Sequence, residues 1–157
     1  MKTLFFVFLF VSLSVFASER ASNKTIKKNN KKTVHVEACG IGFPQTWVVS
    51  TYEDRQRGLM NHPPLTSKQA MLFVFEEEDH RSFWMKNVPY DLDIAFFDSN
   101  KKIVSITTMF GTSPMMKDDK LPSYPSNGPA QYALEAKAGT FNAVLKSSKL
   151  KSCKLSF

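Results

Sequence analysis

The chain has 157 residues, 43% of them hydrophobic, and a formal net charge of +7 at pH 7. Most of that charge lies outside the body of the chain, because residues 18–32 carry six basic side chains against one acidic, whereas residues 33–157 carry 14 against 13. The body is therefore nearly neutral and long enough for one domain but not two, which argues against a nucleic-acid-binding surface.

Residues 1–17 have the pattern of a secretory signal peptide. Lys2 precedes the apolar run from Leu4 to Val11, and Val15 and Ala17 stand where a signal peptidase prefers small side chains. The alternative is an uncleaved anchor, but the run is shorter than the roughly 20 residues that a bilayer requires. We expect a mature chain that starts at Ser18 and is exported to the periplasm or the extracellular space, with no transmembrane segment.

Residues 18–32 read "SERASNKTIKKNNKK", with one isoleucine, five lysines and no aromatic residue. Such a stretch cannot bury enough apolar surface to offset the entropy of ordering, so we expect a disordered basic linker. It could contact anionic lipid or wall polymers, or simply be solvated.

Residues 33–157 contain recurrent strand-length apolar runs and predict a single domain. The runs are "TVHVEAC", "TWVVST", "MLFVF", "SFWM", "LDIAFFD", "KIVSITTMF", "QYALEAK" and "SCKLSF". The pattern predicts a mainly β (α+β) fold: a single small barrel-like or curled antiparallel sheet with one or two short helices.

Other segments predict helices and connections. Thr51 is the expected N-cap of a short helix, and Thr140 of a second one. The "DSNKK" stretch predicts a hairpin turn, the acidic "EEED" at residues 76–79 a solvated turn, and residues 111–129, with four prolines, a long surface loop.

Cys39 and Cys153 lie near opposite ends of the domain. In an oxidising compartment such a pair is more often bridged than free, so we expect a disulfide. Two thiolates with no histidine at ligand spacing make a poor zinc site, and no metal or other cofactor is expected.

The stretch "SFWMKNVPYDLDI", residues 82–94, mixes polar and apolar groups. One hypothesis places Asp93, Lys86 and Glu135 at the mouth of a barrel, with Trp84 as a stacking platform. The other pairs Asp93 with Arg55, Arg57 or Lys86 to fix the short helix to the sheet, while Trp84 fills the core.

Three kinds of function remain open. The first is a binding or accessory module of the cell envelope, monomeric, with a cleft for a small molecule or an envelope polymer. The second is an envelope hydrolase with Asp93 and Glu135 as its acid and base. The third is a structural envelope protein. No nucleophile elbow or phosphate loop is present in the sequence.

The order of five segments resembles the domain of unknown function 192 family. They are the T-x-x-x-R-x-R-G-L-M pattern at residues 51–60, "MLFVF", "FWMKN", "LDIAFFD" and "GPAQYALEAKAG". The resemblance implies a compact, mostly β domain with a short helix after the second strand, often exported and without an established activity. The positions that match the family motif are Arg55, Gly58, Leu59, Met60, Trp84, Met85, Lys86, Asn87, Asp93 and Glu135. Five of them are the candidate ligand-binding residues: Arg55, Trp84, Lys86, Asn87 and Asp93.

Overall fold

Seven strands form one sheet in the computed structural model, which describes residues 32–157. The expected signal peptide, and the expected linker apart from Lys32, lie outside the described residues and stay predictions. The strands are β1 (Thr33–Ala38), β2 (Ile41–Val49), β3 (Gln69–Phe83), β4 (Leu92–Phe97), β5 (Ile103–Met109), β6 (Tyr124–Lys137) and β7 (Leu155–Ser156). Their order across the sheet is β5-β4-β6-β3-β2-β1-β7, so β6 and β3 lie at its centre.

Two short α-helices accompany the sheet, α1 (Tyr52–Arg57) and α2 (Asn142–Leu145). The N-cap predicted for α1 is confirmed, because the Thr51 hydroxyl accepts a hydrogen bond from the Asp54 amide at 3.2 Å. The N-cap predicted for α2 is wrong. The Thr140 hydroxyl donates to the Lys137 carbonyl instead, and Phe141 occupies the cap position without a capping side chain.

The connections between strands follow their turn chemistry. Cys39 and Gly40, with φ of 55° and 79°, form the two-residue turn between β1 and β2, as a type I′ hairpin requires. The predicted hairpin between β4 and β5 is confirmed, and the Asp98 carboxylate accepts from the Lys102 amide within its turn at 2.7 Å. All neighbouring strands are antiparallel except β2 and β3, which run parallel because α1 crosses between them.

The two edges of the sheet approach each other at one end, so the sheet is curled as predicted. The Leu155 amide donates to the Lys101 carbonyl at 2.9 Å, and the Ile103 amide donates to the Cys153 carbonyl at 3.3 Å. These bonds join the β5 edge to the segment that leads into β7, and they limit the exposed edge of the sheet.

Both faces of the central strands are buried, because apolar side chains occupy successive positions. We call one the disulfide face, which buries Val36, Phe43, Leu72, Ala95, Phe97, Leu134, Ala136, Phe141, Val144 and Cys153. The other is the cleft face, which buries Leu59, Met71, Phe73, Met85, Val88, Leu92, Ile94, Phe96 and Ala133. The continuous apolar sequence of β4 reflects this two-sided burial.

Two sequence-based boundaries are wrong. The acidic residues 76–79 do not form a turn between two strands but lie, exposed, inside the single long strand β3, next to a shift in its register with β6. The predicted loop from Gly111 to Pro129 ends earlier, since β6 begins at Tyr124. In both places a strand pairs across a register irregularity, which interrupts the simple alternation expected from sequence.

The predicted disulfide is confirmed. Cys39 and Cys153 are bonded, with Cα atoms 4.1 Å apart, and they are separated by 114 positions in sequence. The bond ties the β1–β2 turn to the segment before β7, which adds a covalent link where β7 contributes only two residues to the sheet.

Removal of the disulfide is expected to destabilise the domain strongly. On the chain-entropy model, a bond that closes a loop of this length contributes about 4 to 5 kcal/mol to the free energy of unfolding. The Cys39→Ser/Cys153→Ala double variant should show that loss in urea denaturation. Dithiothreitol should have a similar effect on the wild type and none on the variant, and equal midpoints for oxidised and reduced wild type would contradict the prediction.

Candidate functional site

A cleft of about 400 Å³ opens on the cleft face, between α1 and the outer part of β3. Its lining residues are Tyr52, Arg55, Gln56, Arg57, Gly58, Leu59, Met60, Phe73, Phe75, Arg81, Ser82, Phe83, Trp84, Lys86, Val88 and Glu135. The buried members Leu59, Phe73, Val88 and Glu135 form its floor, and the basic side chains lie at its more exposed rim.

Aromatic rings from β3 form one wall of the cleft. The rings of Phe73 and Phe83 meet edge to face with centroids 4.9 Å apart, and Phe83 contacts Phe96 of β4 in the same way at 5.5 Å. Edge-to-face pairs add stability beyond the area they bury, so this wall is rigid.

Two arginines hold their guanidinium groups against the same ring. The Arg81 and Arg55 guanidinium carbons lie 4.1 Å and 5.0 Å from the centroid of Phe75. Backbone carbonyls fix both groups, since Arg81 Nε donates to Ala130 at 3.1 Å and an Arg55 terminal nitrogen donates to Val74 at 3.1 Å. Neither arginine forms an ion pair with a carboxylate of residues 32–157. Two oriented positive charges therefore lie at the rim.

Gly58 shapes the turn that carries the chain from α1 into the cleft. Its φ of 44° favours glycine, and a Cβ atom there would lie 3.4 Å from the Phe73 ring. The Gly58 amide donates to the Asp54 carbonyl at 2.9 Å and ends the helix. Because the helix ends here, Leu59 can turn inward onto the floor.

The segment after β3 carries Trp84 and Lys86 to the rim. Trp84 is 41% exposed, so the hypothesis that this side chain fills the core is wrong. The Lys86 ammonium lies 5.7 Å from the Trp84 ring and 2.5 Å from the Asp118 carboxylate. Asn87, with φ of 55°, uses its carbonyl to accept from the Asn61 amide at 3.0 Å, so it shapes a turn and is not among the lining residues.

The loop after β5 supports this segment. The Thr112 amide donates to the Val88 carbonyl at 2.9 Å, and the Gly111 amide donates to the Asp91 carboxylate at 2.8 Å. A Cβ atom on Gly111 would lie 2.6 Å from the Tyr90 backbone nitrogen, so only glycine fits there. The loop reaches the rim through Asp118, but none of its residues lines the cleft.

Glu135 of β6 is the charged residue of the floor. It lies between Met71 of β3 and Ile94 of β4, and only 4% of its surface is exposed. Its Oε2 atom is buried and has no hydrogen-bond partner among the described residues. Desolvation raises the pKa of this carboxyl to about 8, so at neutral pH it is mostly protonated.

Asp93 of β4 lies on the disulfide face. It is 1% exposed, and it accepts hydrogen bonds from the Thr108 hydroxyl at 2.8 Å and from the Phe141 amide at 3.1 Å. Because Phe141 immediately precedes α2, the carboxylate fixes that helix to the sheet. The structural hypothesis was right that Asp93 fixes a helix to the sheet, but wrong about the helix and the partners.

Asp93 and Glu135 do not form a catalytic pair. Asp93 is directly opposite Ala136 in the ladder between β4 and β6, while Glu135 is opposite Ile94. Side chains of opposed residues share a face and successive residues alternate, so the two carboxyl groups point to opposite faces of the sheet. The expected acid and base pair is wrong for this reason.

Of the five candidate ligand-binding residues, Arg55, Trp84 and Lys86 line the cleft, whereas Asn87 and Asp93 do not. Sequence reasoning missed Arg81 and the phenylalanines of the wall. The signal was the spacing within β3, where Phe73 and Phe75 precede the acidic residues and Arg81 and Phe83 follow them, each pair two positions apart. The turn assumed at residues 76–79, where the pairing with β6 shifts its register, concealed that these four residues meet at the cleft.

Within residues 32–157, no group of three or more His, Cys, Asp or Glu side chains is placed to hold a metal ion. In the same part of the chain, no helix has the length and apolarity to cross a membrane.

Comparison with known families tests the family resemblance that the sequence motifs suggest. The model of the domain of unknown function 192 family, described as "Uncharacterized ACR", matches residues 30–148. The chain belongs to this family. Among curated proteins, none matches the sequence.

Two solved structures resemble this member of the domain of unknown function 192 family. A protein of unknown function from Novosphingobium aromaticivorans DSM 12444 is 22% identical, with a TM-score of 0.64 and coverage of 79% of this chain and 84% of that one. A protein from Sinorhizobium meliloti 1021, described as a candidate transcription regulator, is 25% identical, with a TM-score of 0.61 and coverage of 78% and 91%. The first likeness supports the fold alone.

Replacement of Asp93 by Asn is expected to lower the free energy of unfolding by about 1 to 3 kcal/mol, because only one of the two side-chain oxygens that accept these hydrogen bonds remains. Urea denaturation measures this loss. Asp119→Asn, at an exposed carboxyl, is the matched control and should stay within about 0.5 kcal/mol of the wild type. A Thr108→Val background should reduce the effect of Asp93→Asn, and unchanged midpoints would show that the bonds contribute nothing.

Replacement of Glu135 by Gln should change how stability depends on pH. Because the folded pKa is about 8 and the ordinary value is 4.5, the folded state retains a proton that the unfolded chain releases between these values. The contribution of the protonated carboxyl to the stability of the fold is fully present below the ordinary pKa and is lost as the pH rises through the folded pKa. The wild type should therefore lose stability relative to Glu135→Gln between about pH 5 and pH 8.

Urea denaturation at acidic, neutral and alkaline pH checks this difference. The exposed Glu37→Gln variant on β1 is the control and should follow the wild type. Parallel stability curves for the wild type and Glu135→Gln would contradict the prediction.

Proposed function

We propose that this protein is an exported binding module of the cell envelope and that its cleft takes a small organic anion. The observation that carries the proposal is the pair of guanidinium groups of Arg55 and Arg81, fixed on the Phe75 ring and without a carboxylate partner among the described residues. A cleft lined by charges of one sign concentrates ligands of the opposite sign.

The charge of the lining residues favours an anion. Arg55, Arg57 and Arg81 are basic, and Lys86 is balanced by Asp118. Glu135 adds little negative charge at neutral pH, because burial raises its pKa to about 8. Arginine binds carboxylates and phosphates through two parallel hydrogen bonds, so both anion types fit the rim.

The apolar wall favours a ligand with a ring or a compact hydrocarbon body. Phe73, Phe83 and Val88 present apolar surface below the arginines, and Trp84 offers an exposed ring at the rim. The volume of about 400 Å³ lies within the range of small-molecule sites, about 300 to 1,000 Å³. A ligand of this kind would place its anion at the rim and its body against the wall.

The exported location rests on two observations. Residues 1–17 have the signal-peptide pattern, and Cys39 and Cys153 form a disulfide of the kind that persists in oxidising compartments. Together they support an exported protein, whose cleft would act in the periplasm or outside the cell, as a monomer, on small envelope or nutrient molecules.

Ligand-observed NMR with four small probes tests the proposal. Benzoate and phenyl phosphate should bind, and benzyl alcohol and the neutral ester methyl benzoate should bind weakly or not at all, because only the first two carry an anion for the guanidinium groups. Affinity for benzoate should fall as sodium chloride is added, since screening weakens partly exposed charge pairs. Equal binding of benzoate and methyl benzoate would reject the proposal.

The Arg81→Gln variant should bind benzoate about tenfold more weakly, a change equivalent to about 1.4 kcal/mol. Arg81→Lys retains the charge without the planar fork and should show an intermediate loss. Lys137→Gln, which removes an exposed charge at the end of β6, is the matched control and should bind as the wild type does. Circular dichroism verifies that each variant is folded, and unaltered benzoate affinity in folded Arg81→Gln would exclude this arginine from the site.

A further inference from the structure

The Oε2 atom of Glu135 needs a hydrogen-bond partner that the protein does not supply. Within residues 32–157 it is the one buried side-chain nitrogen or oxygen without such a partner. Native interiors pair nearly all of their buried polar atoms, and each exception calls for a partner such as a water, an ion or a bound molecule. Because Glu135 lines the cleft, the missing partner can come from a bound molecule.

The position of Glu135 makes the carboxyl a rigid part of the floor. Strand β6 is hydrogen-bonded on both sides, to β3 and to β4, so the backbone that carries Glu135 cannot move freely. Its neighbours on the same face, Met71, Ile94 and Ala133, are apolar and buried. Packing alone would favour an apolar side chain at this position.

None of the donors near the cleft bonds to Glu135 Oε2. The guanidinium groups of Arg55 and Arg81 bond to backbone carbonyls at the rim and stack on Phe75. The Tyr90 hydroxyl donates to the His62 carbonyl at 2.9 Å. Neither arginine forms an ion pair with Glu135 in the part of the chain that the structure describes.

We propose that Glu135 Oε2 accepts a hydrogen bond from a nitrogen of the ligand, so that the ligand is bipolar. It carries an N–H group at its buried end, an apolar or aromatic body along the phenylalanine wall, and a carboxylate or phosphate at the arginines. Amino-substituted organic acids are the simplest members of this class. The inference rests on the proposed anion site and adds a second requirement, a hydrogen-bond donor on the ligand at the floor of the cleft.

A protonated amine satisfies the site best. A buried carboxyl without a charged partner holds its proton, in accord with its pKa of about 8, and an ammonium group supplies the charge that stabilises the ionised form. A methyl group in the same place would leave the carboxyl unpaired, and sites with a buried polar group discriminate strongly against such analogues.

The test uses probes that differ only at the buried end. The 3- and 4-isomers of (aminomethyl)benzoate are compared with the matching ethylbenzoates, which have the same carboxylate and the same number of heavy atoms. Affinities for the full-length protein are measured by isothermal titration calorimetry. At least one amino isomer should bind about tenfold more tightly than its ethyl counterpart, and Glu135→Leu should abolish this preference.

The outcomes separate the two proposals. If ethylbenzoates bind the wild type and the amino isomers have no advantage, the anion site stands and the Glu135 subsite is rejected. A preference that persists in Glu135→Leu also rejects it, because the nitrogen then binds elsewhere. If no benzoate binds, both proposals fail.

A second measurement needs no variant. The side-chain carboxyl carbon of Glu135 is followed by carbon-13 NMR in the wild type. Its resonance should shift when the amino probe binds and remain in place when the ethyl probe binds. If the resonance shifts equally with both probes, or with neither while both bind, the Glu135 carboxyl does not bind the nitrogen of the ligand. This result holds even if Glu135→Leu fails to fold.

Discussion

A sheet that is buried on both faces leaves no water for the polar groups of its central strands. Strands β4 and β6 meet this condition in the middle of the domain, and each carries one carboxyl residue where apolar side chains prevail. A polar group in these strands recovers the free-energy cost of its desolvation only if it finds a hydrogen-bond partner there. The two carboxyl groups meet this demand in opposite ways, and that difference separates a structural residue from a candidate binding residue.

On the disulfide face, Asp93 receives two donors and joins α2 to the sheet. On the cleft face, Glu135 has an unpaired oxygen beside a cavity with arginines at its rim. The same strand alternation that excludes a reaction between the two groups thus gives each face a separate task. One face joins α2 to the sheet, and the other carries the cleft in which we propose that a ligand binds.

The sequence predicted the fold well where local signals and packing agreed. The alternating and continuous apolar runs, the Thr51 cap and the cysteine pair were all confirmed. Thr140 failed as a cap because its hydroxyl donates to the Lys137 carbonyl, and the Asn142 amide bonds to the Gly139 carbonyl. The acidic residues 76–79 suggested a turn by their polarity, but β3 continues through them across a shift in its register with β6, and Arg81 packs on Phe75. Tertiary pairing of this kind has no local signature, so the cleft could be predicted only in part.

The short strand β7 has a protective role that its length would not suggest. It covers the outer side of β1, which would otherwise present unpaired amide and carbonyl groups at the end of the sheet. Two residues hold weakly by themselves, and the adjoining covalent bond to Cys39 keeps them in place. A molecule that meets reducing conditions before this bond forms would offer β1 as a template for strand exchange between copies. The disulfide therefore protects the edge of β1 by holding β7 against it.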